Sequence, residues 1–473
     1  MQAYNPYLPS WEYVPDGEPH VFGDRVYVYG SHDRFRGHTF CLNDYVCWSA
    51  PVDDLGDWRY EGVIFGRTDD PDNADGRYCL YAPDVTQGPD GRYYLYYVMD
   101  GVGYVSVAVC DNPAGRYQFL GNVRWPDGQR LGERDGDEPQ FDPAVLTEGE
   151  ITYMYTGFCP KDDPSRHGPM VTVLDRDMLT IREAPRFIMP SALYSKGSGY
   201  EGHEFFEASS IRKFGDTYYF VWSPTVQHEL CYATSRYPDR DFVYRGVIVS
   251  NNDLHIDTYK PADMPAYYGA NNHGGLAKIN GEYYIFYHRH TDGTNFSRQA
   301  MAERVTMLPD GSIPQVEMTS CGLNGGPLQG KGWVPAYITC NLFTDRQCGF
   351  TGFPGSEQGF WLDGNYPKIT QDGRDGDEEP GYIMNMTDSA TCGFKYFDCR
   401  SVTRVTLKVR GFCFGSFELK TAWDGAVLGS VKVGGSSLWV DYTIEAAIPD
   451  GIQAIYLTYR GPGSASLLGF ELA

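Results

Sequence analysis

The chain has 473 residues, more than one ordinary domain needs and enough for two or three domains with separate cores. Its 62 acidic and 39 basic residues leave a formal net charge of -23, a field that repels phosphate backbones and anionic lipid surfaces. The composition therefore argues against nucleic acid or a membrane as a partner.

The first residues, MQAYNPYLPSWEY, have neither the basic nor the apolar stretch of a signal peptide. No apolar run in the sequence reaches the roughly 20 residues that a membrane-spanning helix needs. We therefore expect a cytoplasmic protein, or a secreted one if a signal peptide has been removed. The 12 cysteines show no CxxC pair and no metal-ligand spacing, which favours reduced, buried thiols.

A short repeat runs through the first two thirds of the chain. Each copy is a turn centred on glycine, followed by an aromatic strand whose residues alternate between two faces. Successive copies lie 68, 58, 66 and 66 residues apart, and their glycines are Gly23, Gly91, Gly149, Gly215 and Gly281. Five units of this size predict an all-β, five-bladed β-propeller, with a chance likeness of turn-rich strands as the alternative.

The strand before each repeat glycine carries a polar residue at a corresponding position. Seven or eight residues ahead of the glycines stand Asp16, Asp84, Asp142, Glu207 and His273. If these strands are the innermost of their blades, the five side chains converge near the ring axis. Burying unpaired charge is costly, so a functional cluster is favoured over a polar plug of the channel. For Asp84 alone, the plug or a turn at the start of a strand is favoured.

Several motifs carry a resemblance to a known family. They are Asn5-Pro6 with Asp16, Tyr81-Ala82-Pro83-Asp84-Val85, Phe141-Asp142-Pro143, Glu207-Ala208-Ser209-Ser210-Ile211-Arg212-Lys213, and Asn272-His273-Gly274 with Tyr287-His288. In this order, over about residues 5 to 305, they resemble glycoside hydrolase family 43, whose fold is a five-bladed propeller. The resemblance implies an exo-acting, inverting enzyme that releases α-L-arabinofuranose, β-D-xylose or both from plant cell-wall oligosaccharides, including arabinoxylan, arabinan and xylo-oligosaccharides.

The resemblance assigns three catalytic roles. Asp16 matches the general base that activates water, Glu207 the general acid, and Asp142 the residue that orients the acid and raises its pKa. An inverting site needs one ionised carboxylate and one protonated carboxyl group, roughly 6.5 to 9.5 Å apart. A further negative charge beside Glu207 disfavours its ionisation and keeps it protonated near neutral pH.

Substrate binding is assigned to Asp84, His273 and Arg298. His273 matches a position that faces the channel in the family and binds water or a calcium ion, with an ordinary core histidine as the alternative. Arg298 matches an arginine that contacts the substrate or the acid pair, with a structural salt bridge as the alternative. Calcium is the one cofactor that the resemblance suggests, and no organic cofactor is expected.

Two departures from the family pattern leave rival acids. The base motif here is Pro15-Asp16-Gly17-Glu18-Pro19 rather than Ala-Asp-Pro, which makes Glu18 a rival of Asp16. Glu201 and Glu204 precede Glu207 at intervals of three residues, and only the match to the following Ser-Ile-Arg-Lys selects Glu207. Side chains three residues apart do not share one face of a strand.

The repeat stops near residue 320, and a different pattern of short, alternating strands follows. We predict a propeller over residues 1–320, a linker over 321–344 and a jelly-roll-like β-sandwich over 345–473. The last region resembles the family 6 carbohydrate-binding modules. Its candidate sugar-stacking residues are Trp361, Trp423 and Trp439, with packing inside the sandwich as the alternative for each.

Two other functions remain open on the sequence alone. A sugar-binding propeller without catalysis needs the aromatic platforms but not the three acids at corresponding positions. A retaining, fructosidase-like propeller enzyme also fits the fold, but its characteristic Asn-Asp-Pro nucleophile motif is absent here. The expected partner is an oligosaccharide substrate, and the sequence gives no indication of the oligomeric state.

Overall fold

The computed structural model describes residues 2–345 and 366–473 of the chain. Within these ranges the regular structure is almost entirely β, and no helix is both long and apolar enough to cross a bilayer. The helical elements there are short 3-10 turns at Arg67–Asp69, Pro71–Asn73, Ala192–Tyr194, Gly322–Asn324 and Ala336–Ile338.

The N-terminal two thirds form five antiparallel sheets, each built from consecutive strands. The first four sheets have four strands each, and the fifth has three. In chain order the strands are β1 (Glu18–Phe22), β2 (Arg25–Tyr29), β3 (Tyr45–Pro51), β4 (Arg59–Phe65), β5 (Asp84–Gln87), β6 (Tyr93–Tyr97), β7 (Ser106–Cys110), β8 (Gln118–Asn122), β9 (Ala144–Glu148), β10 (Ile151–Thr156), β11 (Met170–Leu174), β12 (Ile181–Phe187), β13 (Phe205–Phe214), β14 (Thr217–Pro224), β15 (Glu229–Ser235), β16 (Val243–Ser250), β17 (Leu276–Ile279), β18 (Glu282–His290) and β19 (Arg298–Val305).

The first strands of the five sheets meet in a closed ring. Strand β1 contacts β5 and β17, β9 contacts β5 and β13, and β13 contacts β17. Each repeat glycine lies in the turn between the first and second strands of its sheet, with φ between 61° and 89°. Only glycine adopts this conformation at no steric cost, which explains the repeat. The five-bladed propeller and its innermost strands are therefore as predicted.

The N-terminal segment of the chain lies along β19, the last strand of the fifth blade. The Asn5 side chain donates to the carbonyl of Ala302 at 2.8 Å and accepts from the Ala302 N–H at 3.0 Å. The Tyr7 N–H donates to the carbonyl of Ala300 at 3.3 Å. These bonds hold the N-terminal segment along β19 and so join the first blade to the last.

The C-terminal third forms two six-stranded sheets that face each other across an apolar core. One sheet contains β20, β22, β25, β27, β28 and β30, and the other the remaining strands. In chain order they are β20 (Leu328–Gly330), β21 (Gly332–Pro335), β22 (Asn341–Phe343), β23 (Lys368–Thr370), β24 (Tyr382–Met386), β25 (Thr391–Cys399), β26 (Arg404–Cys413), β27 (Ser416–Lys420), β28 (Gly429–Lys432), β29 (Ser436–Glu445), β30 (Gly451–Arg460) and β31 (Gly463–Leu472).

The predicted linker, residues 321–344, is not a free connection. It contains β20 and β22, which pair with β25, and β21, which pairs with β31. These strands have only three or four residues, too few for an alternating pattern to be read from the sequence. The linker prediction is corrected accordingly: this stretch contributes strands to the sandwich.

Buried polar contacts join the sandwich to the propeller. The Lys395 ammonium lies 3.4 Å from the Asp253 carboxylate and 2.9 Å from that of Glu317. The Arg289 guanidinium donates to the carbonyls of Thr339 at 2.7 Å and Tyr337 at 2.6 Å. Because Lys395 and Arg289 are fully buried, separating the two parts would leave charges without partners.

Candidate active site

One cavity collects most of the polar residues that the sequence singles out. Asp16, Asp142, Glu207, His273 and Arg298 all contribute to its wall. The complete lining is Asp16, Phe40, Cys41, Tyr81, Ala82, Phe141, Asp142, Phe158, Glu207, Asn271, His273 and Arg298. Residues up to 282 positions apart are thus brought to one place by closure of the ring.

The inner strands place the three acids through unusual backbone conformations. Asp16 and Asp142 each lie two residues ahead of their strand, and their φ angles are 58° and 42°. Glu207 lies in β13 where the pairing with β14 shifts register, and the next residue, Ala208, has φ 67°. Left-handed conformations cost non-glycine residues free energy and concentrate at functional sites. A register shift of this kind re-aims a side chain, here that of Glu207.

Asp16 is held as an anion. Its Oδ1 accepts from Arg298 Nη1 at 2.9 Å and lies 3.3 Å from His288 Nδ1. Burial by itself raises the pKa of this carboxyl group, but the Arg298 charge and the His288 hydrogen bond outweigh it and hold the pKa well below its usual range. The Asp16 carboxylate is therefore ionised across the physiological pH range.

Arg298 connects Asp16 to a second buried acid, Asp33. Its Nε and Nη2 donate to the two oxygens of Asp33 at 2.8 and 3.0 Å, a bidentate pair, while Nη1 serves Asp16. The ring of Phe40 covers the guanidinium at 4.8 Å. Arg298 therefore lines the cavity and forms a structural salt bridge at once. Both roles considered for it from the sequence fit its position.

Glu207 and Asp142 share a site that favours protonation. Burial and the negative charge of Asp16 raise the pKa of Glu207 to about 8, against a smaller lowering by Arg298. Burial, Glu207 and Asp16 likewise raise the pKa of Asp142, while the Ala208 N–H donates to Asp142 Oδ2 at 3.0 Å and favours its ionised form. Two close carboxyl groups do not ionise together readily, so the pair retains a proton at neutral pH.

His273 stands between two carboxyl groups. Its Nδ1 lies 3.7 Å from Asp142 Oδ2, and its Nε2 lies 3.9 Å from Glu18 Oε1. Glu18 Oε1 is buried and has no hydrogen-bond partner among the described residues. Burial lowers the pKa of His273 to about 4, so the imidazole is neutral at pH 7. The following Gly275 leaves room for Glu18, because a Cβ there would lie 2.5 Å from Glu18 Oε2.

Asp84 does not line the cavity, unlike the other predicted site residues. It is fully buried and belongs to a group that we call the buried cluster: Glu18, His20, Asp84 and Arg212. Its oxygens accept from the N–H groups of Val85 and Val145 at 2.8 Å and lie 2.6 Å from His20 Nε2. Asp84 is the first residue of β5, whereas Asp16 and Asp142 precede their strands. The predicted substrate contact does not fit this position, and the structural alternative does.

The rival acids are separated by their surroundings. Glu18 is buried, and its Oε2 accepts from Arg212 at 2.6 Å and Ser210 at 3.0 Å, away from the cavity lining. Glu201 is exposed and accepts from the N–H groups of its own turn, including Gly199 at 2.9 Å. Glu204 accepts from Ser195 at 3.0 Å. Only Glu207 of the three neighbouring glutamates reaches the cavity.

Several residues of the site were not identified from the sequence. Asp33 lies beyond the end of β2, and Asn271 precedes His273. His288, near the end of β18, belongs to one of the motifs that carry the resemblance but was given no role. The repeat predicts one polar position per blade, in the inner strand, and these residues lie outside that pattern. Polar residues closing the aromatic repeat strands, as in YVYGSHD and YIFYHRH, were the available signal. The aromatic side chains that line the cavity, among them Tyr81, Phe141 and Phe158, were also not predicted.

The aromatic side chains of the cavity wall form a row of ring contacts that reaches β13, the strand of Glu207. Phe141 packs on Tyr81 with ring centroids 5.7 Å apart and on Phe158 at 5.1 Å, and Phe158 packs on Phe206 at 5.2 Å. Phe206 directly precedes Glu207 in β13. Such faces suit the apolar side of a sugar ring.

The candidate stacking residues of the sandwich have partners of their own. Phe343 stacks on Trp423 with centroids 4.3 Å apart, and the Arg410 guanidinium lies 4.2 Å from the Trp439 ring centroid. Trp361 falls outside the described residues. Sugar binding by this domain, and its resemblance to family 6 modules, stay predictions.

Comparison with known proteins gives consistent results. A family model described as glycosyl hydrolases family 43 matches residues 13–313. A xylosidase/arabinosidase of Thermoclostridium stercorarium is 67% identical over 471 residues, which cover 100% of this chain and 99% of that protein.

Solved structures extend the likeness over the whole chain. An arabinoxylan arabinofuranohydrolase from Bacillus subtilis, in complex with cellotetraose, matches 99% of this chain and 97% of its own with a TM-score of 0.53; at 18% identity this shows a shared fold. A β-xylosidase/α-arabinofuranosidase from a compost metagenome, described as a calcium-free form with xylotriose, matches 65% of this chain and 96% of its own with a TM-score of 0.51 and 26% identity.

Proposed function

Because the chain belongs to glycoside hydrolase family 43, we propose that it cleaves single α-L-arabinofuranosyl or β-D-xylosyl units from the ends of plant cell-wall oligosaccharides, with inversion at the anomeric carbon. It is a glycosidase, and its 67% identical relative is named a xylosidase/arabinosidase. The proposal assigns the reaction to the cavity cluster, by which we mean Asp16, Asp142, Glu207 and Arg298.

In the proposed reaction, two carboxyl groups act in one displacement. The Asp16 carboxylate takes a proton from a water molecule as the water oxygen bonds to the anomeric carbon. The bond from that carbon to the glycosidic oxygen breaks, and the Glu207 carboxyl group gives its proton to the leaving oxygen. Asp142 and His273 hold the acid side of the site, and Arg298 keeps Asp16 ionised and oriented.

One observation carries this proposal. Two carboxyl groups in one cavity have pKa values displaced in opposite directions, below the usual range for Asp16 and to about 8 for Glu207. A site that holds an ionised and a protonated carboxyl group at the same pH is equipped for both halves of glycoside hydrolysis. A sugar-binding propeller without catalysis has no need of this separation.

Calcium enters the proposal as a ligand of the channel. His273 Nε2 and Glu18 Oε1 face each other at 3.9 Å, and the carboxylate oxygen lacks a hydrogen-bond partner in the described parts of the chain. An oxygen and an imidazole nitrogen fit a hydrated cation whose other ligands are water, since calcium takes six to eight ligands. We propose that these two residues hold it. When bound, it would supply positive charge to the surrounding carboxylates.

Product stereochemistry is the most direct test. Hydrolysis of nitrophenyl α-L-arabinofuranoside and nitrophenyl β-D-xyloside, followed by proton NMR from the first turnovers, should show the inverted anomer before mutarotation. Xylo-oligosaccharides should yield xylose one unit at a time. A retained anomer would exclude the single displacement and favour the fructosidase-like alternative, and no turnover on any pentoside would favour the sugar-binding alternative.

The acid and base assignments separate by leaving group. A nitrophenolate departs with little protonation, whereas a sugar hydroxyl needs a proton from the acid. Glu207→Gln should therefore lose much more activity on xylobiose than on the nitrophenyl xyloside, while Asp16→Asn should lose similar amounts on both. The reverse pattern would exchange the two roles, and a loss in Glu207→Gln that is equal on the two substrates would contradict the assignment of Glu207.

A further inference from the structure

A second group of ligand-type side chains lies outside the cavity. Glu229 and Cys231 are alternate residues of β15 and so point to the same face of the sheet. His203 lies in the turn ahead of β13 and reaches over that face. Its Nδ1 is 2.7 Å from Glu229 Oε2, and the Cys231 Sγ is 3.7 Å from His203 Nδ1 and 3.6 Å from Glu229 Oε2. None of the three lines the catalytic cavity.

These distances match the spacing of ligands around one small metal ion. With zinc–sulfur and zinc–nitrogen or zinc–oxygen bonds of about 2.3 and 2.0 Å, tetrahedral geometry places sulfur about 3.6 Å from the other two donors. The sulfur distances of 3.7 and 3.6 Å already meet this requirement. The nitrogen and oxygen must separate from 2.7 Å to about 3.3 Å, which breaks the hydrogen bond between them.

The donor set identifies the class of ion. A thiolate, an imidazole and one carboxylate suit zinc and its neighbours among the divalent transition metals, and calcium or magnesium prefer oxygen alone. We propose that His203, Glu229 and Cys231 form a binding site for a divalent transition metal of the zinc type. Binding displaces the proton of the Cys231 thiol and leaves a fourth position for water, because the His203 side chain is 32% exposed.

The three ligands are held in place before any metal arrives. The His203 ring stacks on Tyr244 with centroids 5.2 Å apart and an interplanar angle of 17°. Its backbone carbonyl accepts from Trp222 Nε1 at 3.0 Å, and its N–H donates to the carbonyl of Tyr200 at 2.9 Å. Glu229 and Cys231 are buried in a central strand of the fourth blade. A site prepared in this way loses little conformational freedom on binding.

The buried cluster offers a comparison within the same molecule. Glu18, His20 and Asp84 also bring an imidazole and two carboxylates within reach of one another. There the Arg212 guanidinium lies 2.6 Å from Glu18 Oε2 and 3.3 Å from His20 Nε2, so a positive charge is already built in. At the His203 group there is no such built-in cation: among the described residues, Glu229 forms its ion pair with His203. That partner is itself a metal ligand when deprotonated.

Cobalt and zinc titrations of the full-length protein test the site. After treatment with a chelator and without an affinity tag, addition of Co²⁺ should produce thiolate-to-cobalt charge-transfer absorption, which one equivalent of Zn²⁺ per chain should remove. Zinc should also raise the thermal unfolding midpoint in proportion to the logarithm of its concentration, since it binds the folded state. Absence of the absorption in the wild-type protein overturns the proposal.

Variants show whether these residues are the ligands. Cys231→Ser and His203→Gln should abolish the charge-transfer absorption and weaken zinc binding at least about tenfold. Cys159→Ser, which changes a buried thiol of the same apolar cluster, should bind as the wild type does. If Cys231→Ser fails to fold, the partly exposed His203→Gln decides the matter. Zinc binding unchanged in His203→Gln would refute the site, even if hydrolysis of pentosides is as proposed.

Discussion

The cavity cluster and the buried cluster both combine buried carboxyl groups with one arginine, and they differ in how those carboxyl groups are paired. In the buried cluster, Asp84 pairs with His20 and Glu18 with Arg212, and both acids accept backbone or hydroxyl hydrogen bonds. In the cavity cluster, Arg298 is shared between Asp16 and Asp33, and Glu207 has no cation of its own close enough to lower its pKa below the usual value. Charged groups near the axis therefore do not by themselves define an active site. Burial raises the pKa of both Glu18 and Glu207 to about 8, so a protonated acid does not define an active site either. The active site is distinguished by an open cavity that holds the protonated Glu207 together with the ionised Asp16.

The largest expected effect comes from removing the reacting groups. Asp16→Asn and Glu207→Gln should each lower kcat for xylobiose by about 10³-fold, because general base and acid catalysis contribute about 10² to 10⁴-fold each. The matched control is Glu204→Gln, which changes a neighbouring glutamate outside the cavity and should retain activity. Steady-state kinetics with circular dichroism on the same samples measures this. Loss of activity in Glu204→Gln would break the contrast between the three glutamates.

Substitution of Arg298 and of Arg212 tests the difference between the cavity cluster and the buried cluster. Arg298→Lys removes the guanidinium whose several donors bind Asp16 and Asp33 at the same time. Asp16 should then be misplaced, and kcat should fall about 10²-fold. Arg212→Lys makes the corresponding change in the buried cluster and should lower thermal stability while kcat of the folded enzyme stays within about threefold, since no reacting group moves. Equal losses of kcat in both variants would show that the buried cluster takes part in catalysis.

The pH profile follows from the displaced pKa values. Glu207 must be protonated, and burial and Asp16 raise its pKa to about 8, so kcat/KM should fall about tenfold per pH unit above pH 8. Asp16 must be ionised, and Arg298 holds its pKa well below the usual range, so no decline should appear on the mildly acidic side. Initial rates on xylobiose between pH 5 and 10 test both the alkaline fall and the absence of an acidic one. A decline centred near pH 5 would contradict the assigned state of Glu207.

The proposed calcium ion should have a smaller effect on turnover. Removing it with a chelator should lower kcat by no more than about tenfold, because an ion between His273 and Glu18 acts on the reacting groups through charge rather than contact. Glu18→Gln removes a carboxyl ligand of the proposed site and should weaken calcium binding measured by calorimetry. Heat of binding unchanged in that variant would place the ion elsewhere.

The smallest effect on catalysis is expected from Asp84. Asp84→Asn should leave kcat within about twofold, yet it should cost about 1–3 kcal/mol in the free energy of unfolding, because His20 and two backbone N–H groups lose their anionic partner. Denaturant unfolding gives the stability, and kinetics give the activity. A selective rise in KM would restore the predicted substrate contact and show that the cavity extends further than its lining residues indicate.

Sequence reasoning found what local rules determine. The repeat glycines require left-handed φ, and the strands after them alternate, so the blades and the positions of Asp16, Asp142, Glu207 and His273 could be predicted. The depth of a residue along the ring axis depends on where its strand begins to pair, and for this reason Asp84 was misplaced. Asp33 was missed and His288 was given no role, because their contacts with Arg298 and Asp16 exist only after the ring has closed.

The pairing of Asn5 with Ala302, 297 positions later, has a consequence for biosynthesis. Translation at roughly 5 to 20 residues per second separates the emergence of these partners from the ribosome by roughly 15 to 60 seconds. During that interval the nascent first blade carries Asp16 and Asp33 without Arg298, and its edge awaits the fifth blade. Ribosome-associated intermediates should therefore be open rings that expose unpaired acids, and enzymatic competence should appear abruptly once β19 is released from the exit tunnel.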